Sequence, residues 1–195
     1  MEDENIFNIV FIGPGLGKTN IIRRLMGKSF EKDSPRTSSA SYYIKSLILD
    51  GHLFTSRIWD TCGAETMMSL SKIFLKDAKG VFVVYDITDK YSFDVIDEWI
   101  ELLKDIKNSD IPMVIVGNRC DLKDRREVTV EEGELKAKKY GAEFIKTSAL
   151  SGENIEKAFE ILMRRVTKIG TEDLYKSVYD KLKRDYDTLK KIMIY

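Results

Sequence analysis

Four apolar runs predict the central strands of the fold: Ile6–Ile12, Val81–Tyr85, Met113–Val116 and Phe144–Ile145. Small or polar residues follow each run at once, and helical patterns separate the runs along the chain. Because strands alternate with helices, we expect a mostly parallel sheet that is covered on both faces. A ligand of such a sheet binds outside the carboxyl ends of the strands, so the residues that follow the runs should form one site.

A β-hairpin and two irregular stretches lie between the first two runs. The segments Ser41–Leu49 and Leu53–Trp59 read as strands and flank Asp50-Gly51, a pair that favours a tight turn. The stretch Lys28–Ser41 is polar, rich in serine and too long for a simple connection, which predicts a functional loop. We interpret Thr61–Ser71, which follows the hairpin, as a second irregular stretch.

Three segments in the second half of the chain have the pattern of helices. Apolar residues recur along one face of Ser92–Ile106 and of Ile155–Val166. Between these segments, Thr129 and Glu132 match a capping box that opens a helix ending near Tyr140. These helices are the predicted cover of the sheet.

Composition and charge narrow the class of protein. Hydrophobic residues make up 43% of the 195-residue chain and charged residues 33%, which suits one domain with a core and a polar surface. The net charge of zero predicts no broad attraction to nucleic acid or to membranes. Two cysteines, Cys62 and Cys120, and the lack of signal-peptide flanks predict a cytoplasmic protein with reduced thiols.

The stretch Gly13–Thr19 (Gly-Pro-Gly-Leu-Gly-Lys-Thr) has the composition of a phosphate cradle. Glycines let the backbone approach phosphates closely, and the N-terminus of the following helix offers free N–H groups. Lys18 would reach the phosphates, and the Thr19 hydroxyl would hold Mg²⁺. Only three residues separate the first glycine from the Gly-Lys pair, one fewer than usual, and one of them is Pro14. Either phosphate donors are lost, since proline has no N–H, or the loop takes a tighter path.

Polar residues after three other predicted strands suit a guanine nucleotide. Asp60, with Gly63 three residues later, suits a Mg²⁺-linked carboxylate beside a phosphate. Asp121, in Gly-Asn-Arg-Cys-Asp, can accept two hydrogen bonds from a guanine edge, and adenine offers no such pair of donors. The stretch Thr147–Leu150 follows the last run, where a backbone N–H would contact the guanine oxygen.

Together, Trp-Asp-Thr-x-Gly at 59–63, Asn-x-x-Asp at 118–121 and Thr-Ser-Ala at 147–149 resemble the motifs of small GTPases of the Ras superfamily, and specifically of the Rab branch. The resemblance covers about residues 5–168. We expect an α/β, three-layer P-loop nucleotide-binding fold with a six-stranded, mostly parallel sheet, one antiparallel strand and an extra C-terminal helix. We assign residues 1–169 to a Rab-like GTPase domain and residues 170–195 to a C-terminal amphipathic helix or linker.

The resemblance also implies the ligands, GTP or GDP with Mg²⁺, and the residues that hold them. Thr19, Thr37 and Asp60 are the implied metal-binding residues, and Lys18 and Thr37 are also implied in hydrolysis. The implied nucleotide-binding residues are Gly13, Gly15, Leu16, Gly17, Lys18, Thr19, Asn20, Phe30, Thr37, Gly63, Asn118, Arg119, Asp121, Leu122, Ser148, Ala149 and Leu150.

The resemblance implies protein partners as well. Tyr42, Trp59 and Phe74 match an aromatic cluster through which Rabs present effectors, and plain core packing is the alternative explanation for these side chains. A switch of this kind works in vesicle trafficking and is controlled by an exchange factor and a GTPase-activating protein.

Ala64 is the departure that bears most on catalysis. It stands where the family has the glutamine that orients the attacking water, and a methyl group can neither donate to nor accept from water. We therefore expect slow intrinsic GTP hydrolysis, which a glutamine supplied in trans by an activator would relieve. Two hypotheses stay open at this point. One is a Rab-type switch, and the other is a pseudo-GTPase scaffold, locked in one nucleotide state or free of nucleotide.

The segment 171–195 is the second departure, because Rabs normally end in a flexible segment with prenylated cysteines. Here the segment carries no cysteine and has a helical apolar stripe at steps of four and three, formed by Leu174, Val178, Leu182, Tyr186 and Leu189. Three interpretations compete. The sequence is a piece or one domain of a longer chain, the helix docks on the domain or on a partner helix, or it lies on a membrane. Nearly balanced charge disfavours the last of these.

Overall fold

The computed structural model describes residues 6–15, 17–35, 37, 39–61, 68–107, 111–167 and 183. Within these residues the chain forms a six-stranded sheet, whose strands are β1 Ile6–Ile12, β2 Ser41–Leu49, β3 His52–Asp60, β4 Gly80–Asp86, β5 Met113–Asn118 and β6 Glu143–Lys146. The strand order is β2-β3-β1-β4-β5-β6. Strand β2 is antiparallel to β3, and the other neighbours are parallel. The predicted α/β fold is therefore confirmed.

Five helices of the described residues cover the two faces of this sheet. They are α1 Lys18–Leu25, α2 Met68–Lys76, α3 Lys90–Lys107, α4 Val130–Lys139 and α5 Ile155–Thr167. Helices α1 and α5 share one buried apolar cluster with the sheet, and α2, α3 and α4 share the other. The two clusters give the predicted three layers. None of these helices is both long enough and apolar enough to cross a membrane.

Two predicted boundaries were wrong. The irregular stretch 61–71 ends earlier than predicted, because α2 already begins at Met68. Within α2 the fully buried Leu75 anchors the helix to the core, and this tertiary contact outweighs a sequence with little helical periodicity. Helix α3 begins at Lys90 rather than Ser92, because the Asp89 carboxylate accepts a hydrogen bond from the Ser92 N–H and caps the first turn.

Other predictions about local structure agree with the described residues. The hairpin forms as predicted, and no helix or strand interrupts the described part of the loop between α1 and β2. The predicted C-terminal helix over 171–195 lies outside the described residues, apart from Lys183. The structure therefore does not test the proposed boundary between residues 169 and 170.

The topology places the ends of five strands at one edge of the sheet. Strands β1, β3, β4, β5 and β6 run parallel, so their carboxyl ends point the same way. The register sets Phe11 beside Asp60 and Asp86 beside Asn118. The candidate site residues that follow these strands therefore meet at this edge, as predicted.

The capping box of α4 offers a test of how local sequence stabilises the fold. The Thr129 hydroxyl accepts from the Glu132 N–H at 3.1 Å, and the Glu132 carboxylate accepts from the Thr129 N–H at 2.8 Å. Thr129→Ala removes one of these bonds, and we expect the free energy of unfolding in urea to fall by about 1 kcal/mol. Thr129→Ser keeps the hydroxyl and is the matched control. Equal losses in both variants would contradict the capping explanation.

Candidate nucleotide-binding site

Three glycines shape the loop between β1 and α1. Gly13 and Gly17 both have φ of 121°, and Gly15 has φ of 72°, which side chains rarely adopt. A Cβ atom on Gly13 would collide with the Val84 carbonyl oxygen, and one on Gly17 would lie 2.7 Å from Nδ2 of Asn118. The backbone therefore packs where a side chain cannot, and leaves a cradle at the N-terminus of α1.

Lys18 closes this loop from inside. Its Nζ donates to the carbonyl oxygens of Gly13 at 2.7 Å and Gly15 at 3.2 Å, and the residue is buried. The loop therefore curls round the ammonium group even with Pro14 in it. The N–H groups of a first helical turn have no intrahelical partners, so this positive end of α1 suits an anion.

The three predicted metal-binding residues are brought together. The hydroxyl oxygens of Thr19 in α1 and Thr37 in the following loop lie 2.9 Å apart. Burial raises the pKa of Asp60 above its usual value, although a hydrogen bond from Thr19 and the charge of Lys18 oppose the shift. These contacts set the Asp60 carboxyl group beside Thr19 at the end of β3.

This group of oxygens fits a hard cation. Among the described residues, Oδ1 of Asp60 is buried and has no hydrogen-bond partner. Hydroxyl and carboxylate oxygens are the ligand types that Mg²⁺ takes in proteins, directly or through water. The described residues contain no cluster of three or more His, Cys, Asp or Glu side chains that suits a metal, so hydroxyl groups are part of any site here.

Asn118 connects three loops at the edge of the sheet. This buried side chain accepts hydrogen bonds at Oδ1 from the Thr147 hydroxyl at 3.2 Å and from the Ala149 N–H at 3.3 Å. Its Nδ2 packs against Gly17 in the phosphate cradle. The ends of β5 and β6 and the start of α1 are thereby held together.

Asp121 lies beside this connection with unused acceptor capacity. Its Oδ1 is buried and, within the part of the chain that the structure describes, has no hydrogen-bond partner. A buried acceptor without a donor costs free energy, so such an atom is expected to receive a donor from a ligand. This observation fits the predicted pair of donors on a guanine edge.

Arg119 has a role that sequence analysis did not predict. Its φ of 67° turns the backbone out of the strand, and its guanidinium pairs with the Asp86 carboxylate at 2.8 Å.

Burial raises the pKa of the neighbouring Cys120 to about 11, so its thiol stays protonated and serves as packing. Leu122 is half-buried.

The loop after β6 is held by its own polar groups. Ser148 is fully buried, and its hydroxyl accepts from the Ser151 N–H at 3.1 Å. The Ala149 N–H points to Asn118, whereas Leu150 is 57% exposed. The side chain of Ser148 is thus used for loop structure, and Leu150 offers an accessible apolar surface.

Asn20 and Phe30 connect α1 to the long loop that follows it. The Asn20 amide donates to the Glu31 carbonyl and accepts from the Glu31 N–H, both at 2.9 Å. This pair of bonds fixes Phe30, whose half-buried ring packs against the core. The Asn20 side chain is therefore occupied within the protein, and its backbone is the part that can face a phosphate.

Three of the predicted site residues lie outside the described residues: Leu16, Gly63 and Ala64. The described segment before the last two ends at Thr61, whose hydroxyl donates to the Phe11 carbonyl at 2.6 Å. This buried bond ties the end of β3 to β1.

The predicted aromatic cluster forms near the site. The rings of Tyr42 and Trp59 lie 5.1 Å apart, and those of Trp59 and Phe74 lie 4.7 Å apart, measured between centroids. Trp59 and Phe74 pack against the core, but Tyr42 is 54% exposed. Core packing therefore explains two of the three side chains and leaves the tyrosine available at the surface.

Comparison with known proteins agrees with this geometry. The model of the Ras family matches residues 8–168. The chain belongs to the Ras family. It is 37% identical over 167 residues to the Ras-related protein Rab-8B of Homo sapiens, covering 85% of this chain and 81% of that protein. It is 36% identical to Rab2BV of Beta vulgaris over 169 residues, and 36% identical to Rab-8 of Diplobatis ommata over 91% of this chain and 87% of that protein.

The matches support a Rab-like small GTPase. The sequence indicated the strand ends at Asp86 and Thr61, but it did not predict their contacts with Arg119 and with the Phe11 carbonyl, or the cap by Asp89. The Asn20 clamp on Glu31 was not predicted either, because an asparagine in the first turn of a helix gives no signal for a distant backbone partner.

The glycine loop gives a direct test of the cradle. Gly13→Ala is expected to lower the free energy of unfolding more than Gly15→Ala does. Both positions have positive φ, but only at Gly13 does the new Cβ meet the Val84 carbonyl oxygen. Alanine in a left-handed backbone costs about 1–2 kcal/mol, and Gly15→Ala measures this cost alone. Any further loss of unfolding free energy in Gly13→Ala is due to the clash with Val84.

The measurement is urea unfolding of both variants beside the unsubstituted protein. If Gly15→Ala proved as damaging as Gly13→Ala, the close approach of the loop to β4 would not be the constraint.

Proposed function

We propose that this protein is a guanine-nucleotide switch of the Rab type that acts in membrane trafficking. The observation that carries the proposal is the buried, unpartnered Oδ1 of Asp121 beside the Asn118 connection to the phosphate cradle. A base-reading acceptor and an anion site at one edge of a parallel sheet suit a purine nucleotide. The carboxylate selects guanine, since guanine presents two adjacent donors.

The phosphates occupy the glycine loop in this proposal. Lys18 and the first-turn N–H groups of α1 neutralise the phosphate charge, and Gly13, Gly15 and Gly17 allow close approach of the backbone. The two bonds from Lys18 to loop carbonyls support the tighter path over a loss of function. Leu16 would add a backbone donor.

Thr19, Thr37 and Asp60 would hold Mg²⁺ through their hydroxyl and carboxylate oxygens. The metal would neutralise charge on the phosphate oxygens. The 2.9 Å contact between the two hydroxyl groups supports this assignment, because both must reach one ion. Among the described residues, Asp60 also has one buried carboxylate oxygen without a hydrogen-bond partner, which is available to a cation.

Switching follows from the position of Thr37. It lies in the loop between α1 and β2, so a contact of Thr37 with the last phosphate orders this loop, and loss of that phosphate releases it. The loop leads directly into β2, which carries Tyr42. Effectors, an exchange factor and an activator would read the change there and around Trp59 and Phe74.

Guanine specificity is tested by the nucleotide that the purified protein carries. We expect about one GTP or GDP per chain, identified by chromatography after denaturation, and a higher unfolding temperature with GTP and Mg²⁺. Asp121→Asn exchanges an acceptor for a donor and should weaken GTP binding by about 100-fold, from two lost charge-assisted bonds. Asp124→Asn, on an exposed residue of the same loop, is the matched control.

The proposal fails if no nucleotide is released and GTP with Mg²⁺ gives no thermal stabilisation. An equal loss of GTP affinity in the Asp121 and Asp124 variants would instead show that the negative charge of the loop matters and that a contact with the base does not.

Hydrolysis is tested by restoring the missing amide. We expect the unsubstituted protein to hydrolyse bound GTP very slowly in a single turnover, because Ala64 cannot orient water. Ala64→Gln should raise the single-turnover rate by about tenfold or more, since positioned water contributes directly to the barrier. Ala64→Leu has similar bulk without the amide and is the control.

The second hypothesis is decided by the same measurement. A glutamine variant that binds GTP but remains as inert as the leucine variant would favour a pseudo-GTPase scaffold, with the phosphate loop as the cause.

A further inference from the structure

One face of the β2–β3 hairpin carries apolar side chains that no described element covers. Ile44 is 45% exposed, Ile48 67% and Leu53 69%, and the register pairs Ile48 with Leu53. Tyr42 lies on the same face, because alternate residues of a strand share a face. We call this surface, formed by Tyr42, Ile44, Ile48 and Leu53, the open face. Contiguous exposed apolar surface of this kind marks a binding site.

The chain leaves its last described helix beside one end of the open face. Helix α5 packs on the opposite face of the sheet, where Leu49 is buried with it in one cluster. In the last turns of α5, Arg164 holds the hairpin turn through two hydrogen bonds to Asp50, at 2.7 and 3.4 Å. Thr167, the last residue of α5, therefore lies about one helical turn beyond the residue that contacts the hairpin turn.

The length of the following segment matches the length of the open face. The stripe from Leu174 to Leu189 would span about 22 Å as a helix. The open face from Ile48 to Tyr42 spans about 20 Å of extended strand. The seven residues from Thr167 to Leu174 extend to about 24 Å, which is enough to cover the two layer spacings of about 10 Å each between α5 and a helix on the open face.

Charge also matches along this path. Arg57 lies on the open face with its guanidinium 5.3 Å from the centre of the Tyr42 ring, and its Nε has no hydrogen-bond partner among the described residues. Asp185 falls within the apolar stripe, beside Leu182. Asp185 lies about 16 Å of helix beyond Leu174, and Arg57 lies about 13 Å of strand beyond Leu53. If Leu174 lies at the hairpin turn, the two charges come at similar distances along the face.

Lys183 is the residue of this segment that the structure describes. It is helical and exposed, and it lies off the apolar stripe. A helix with its stripe on the protein would present this lysine to solvent.

We propose that residues 171–195 form a helix that docks on the open face of the same chain and covers Tyr42. This segment is the proposed binding partner because α5 ends near the hairpin-turn end of the open face. The segment also has the matching length and carries the complementary charge. Docking covers the surface that effectors would read, so the segment acts as an intramolecular inhibitor of effector binding. This regulatory consequence rests on the proposed function, whereas the docking itself does not.

The test measures tail release in the full-length chain. Trypsin cleaves after basic residues, and the segment contains Lys181, Lys183 and Arg184. Leu53→Ser removes an apolar contact from the open face and should speed cleavage in the tail roughly tenfold, as the docked fraction falls. Leu135→Ser is the control, because Leu135 on α4 is equally exposed, at 67% against 69%, and lies away from the hairpin.

A second pair tests the other partner of the contact. Leu182→Ser should raise hydroxyl-radical modification of Ile48 and Leu53, measured by mass spectrometry, and Lys183→Ser should not. Leu53→Ser and Leu182→Ser should leave the unfolding temperature of the domain unchanged. Faster cleavage or modification in these variants would then report release of the tail and not unfolding of the domain.

Three results would overturn the proposal. Equal cleavage rates in the Leu53 and Leu135 variants, or equal modification in the Leu182 and Lys183 variants, would show that the segment does not lie on the open face. Protection that rises with protein concentration, together with a dimer in sedimentation, would show that a second copy supplies the helix. None of these readouts depends on bound nucleotide, so a failed nucleotide assay would leave the test of docking intact.

Discussion

The buried amide of Asn118 is the contact on which the site depends. It accepts hydrogen bonds from the loop after β6 and packs against Gly17 in the loop before α1. One short side chain reaches both loops because β1, β4, β5 and β6 are parallel and end at one edge of the sheet. Movement of any one of these loops therefore disrupts bonds that position the others. The loop before α1 and the loops after β5 and β6 are mechanically coupled for this reason.

The site also carries a free-energy cost that a ligand can remove. Among the described residues, Oδ1 of Asp60 and Oδ1 of Asp121 are buried without hydrogen-bond partners. Each unpaired buried acceptor costs about 1–3 kcal/mol, and burial adds to this by raising the pKa of Asp60. Arg57 Nε, Tyr85 Oη and Trp99 Nε1 are also buried without partners in the described residues, but the two carboxylate oxygens are the ones that end or follow strands at the carboxyl edge of the sheet. Stability is thus reduced at the place where binding would restore it.

The β2–β3 hairpin has two faces with different tasks. One face packs on α5 and contributes Leu49 and Ile58 to the core. The other exposes Ile44, Ile48 and Leu53, because no described helix packs over them. The Arg164–Asp50 ion pair joins the hairpin turn to α5. One face of the hairpin is therefore held on the core, and the other is left to solvent within the described residues.

The sequence by itself determined the strands, the hairpin and the capping box of Thr129 and Glu132. Buried parallel strands read as continuous apolar runs, and turn and cap residues act through neighbours a few positions away. It also indicated which residues gather at the carboxyl edge, because strand ends in an α/β sheet converge. Only the tertiary structure decided the start of α2, the clamp of Asn20 on Glu31 and the pairing of Arg119 with Asp86. Those features depend on contacts between residues far apart in the chain, which no local pattern encodes. The unpartnered acceptors follow from the same cause, since burial without a donor exists only once the chain has folded.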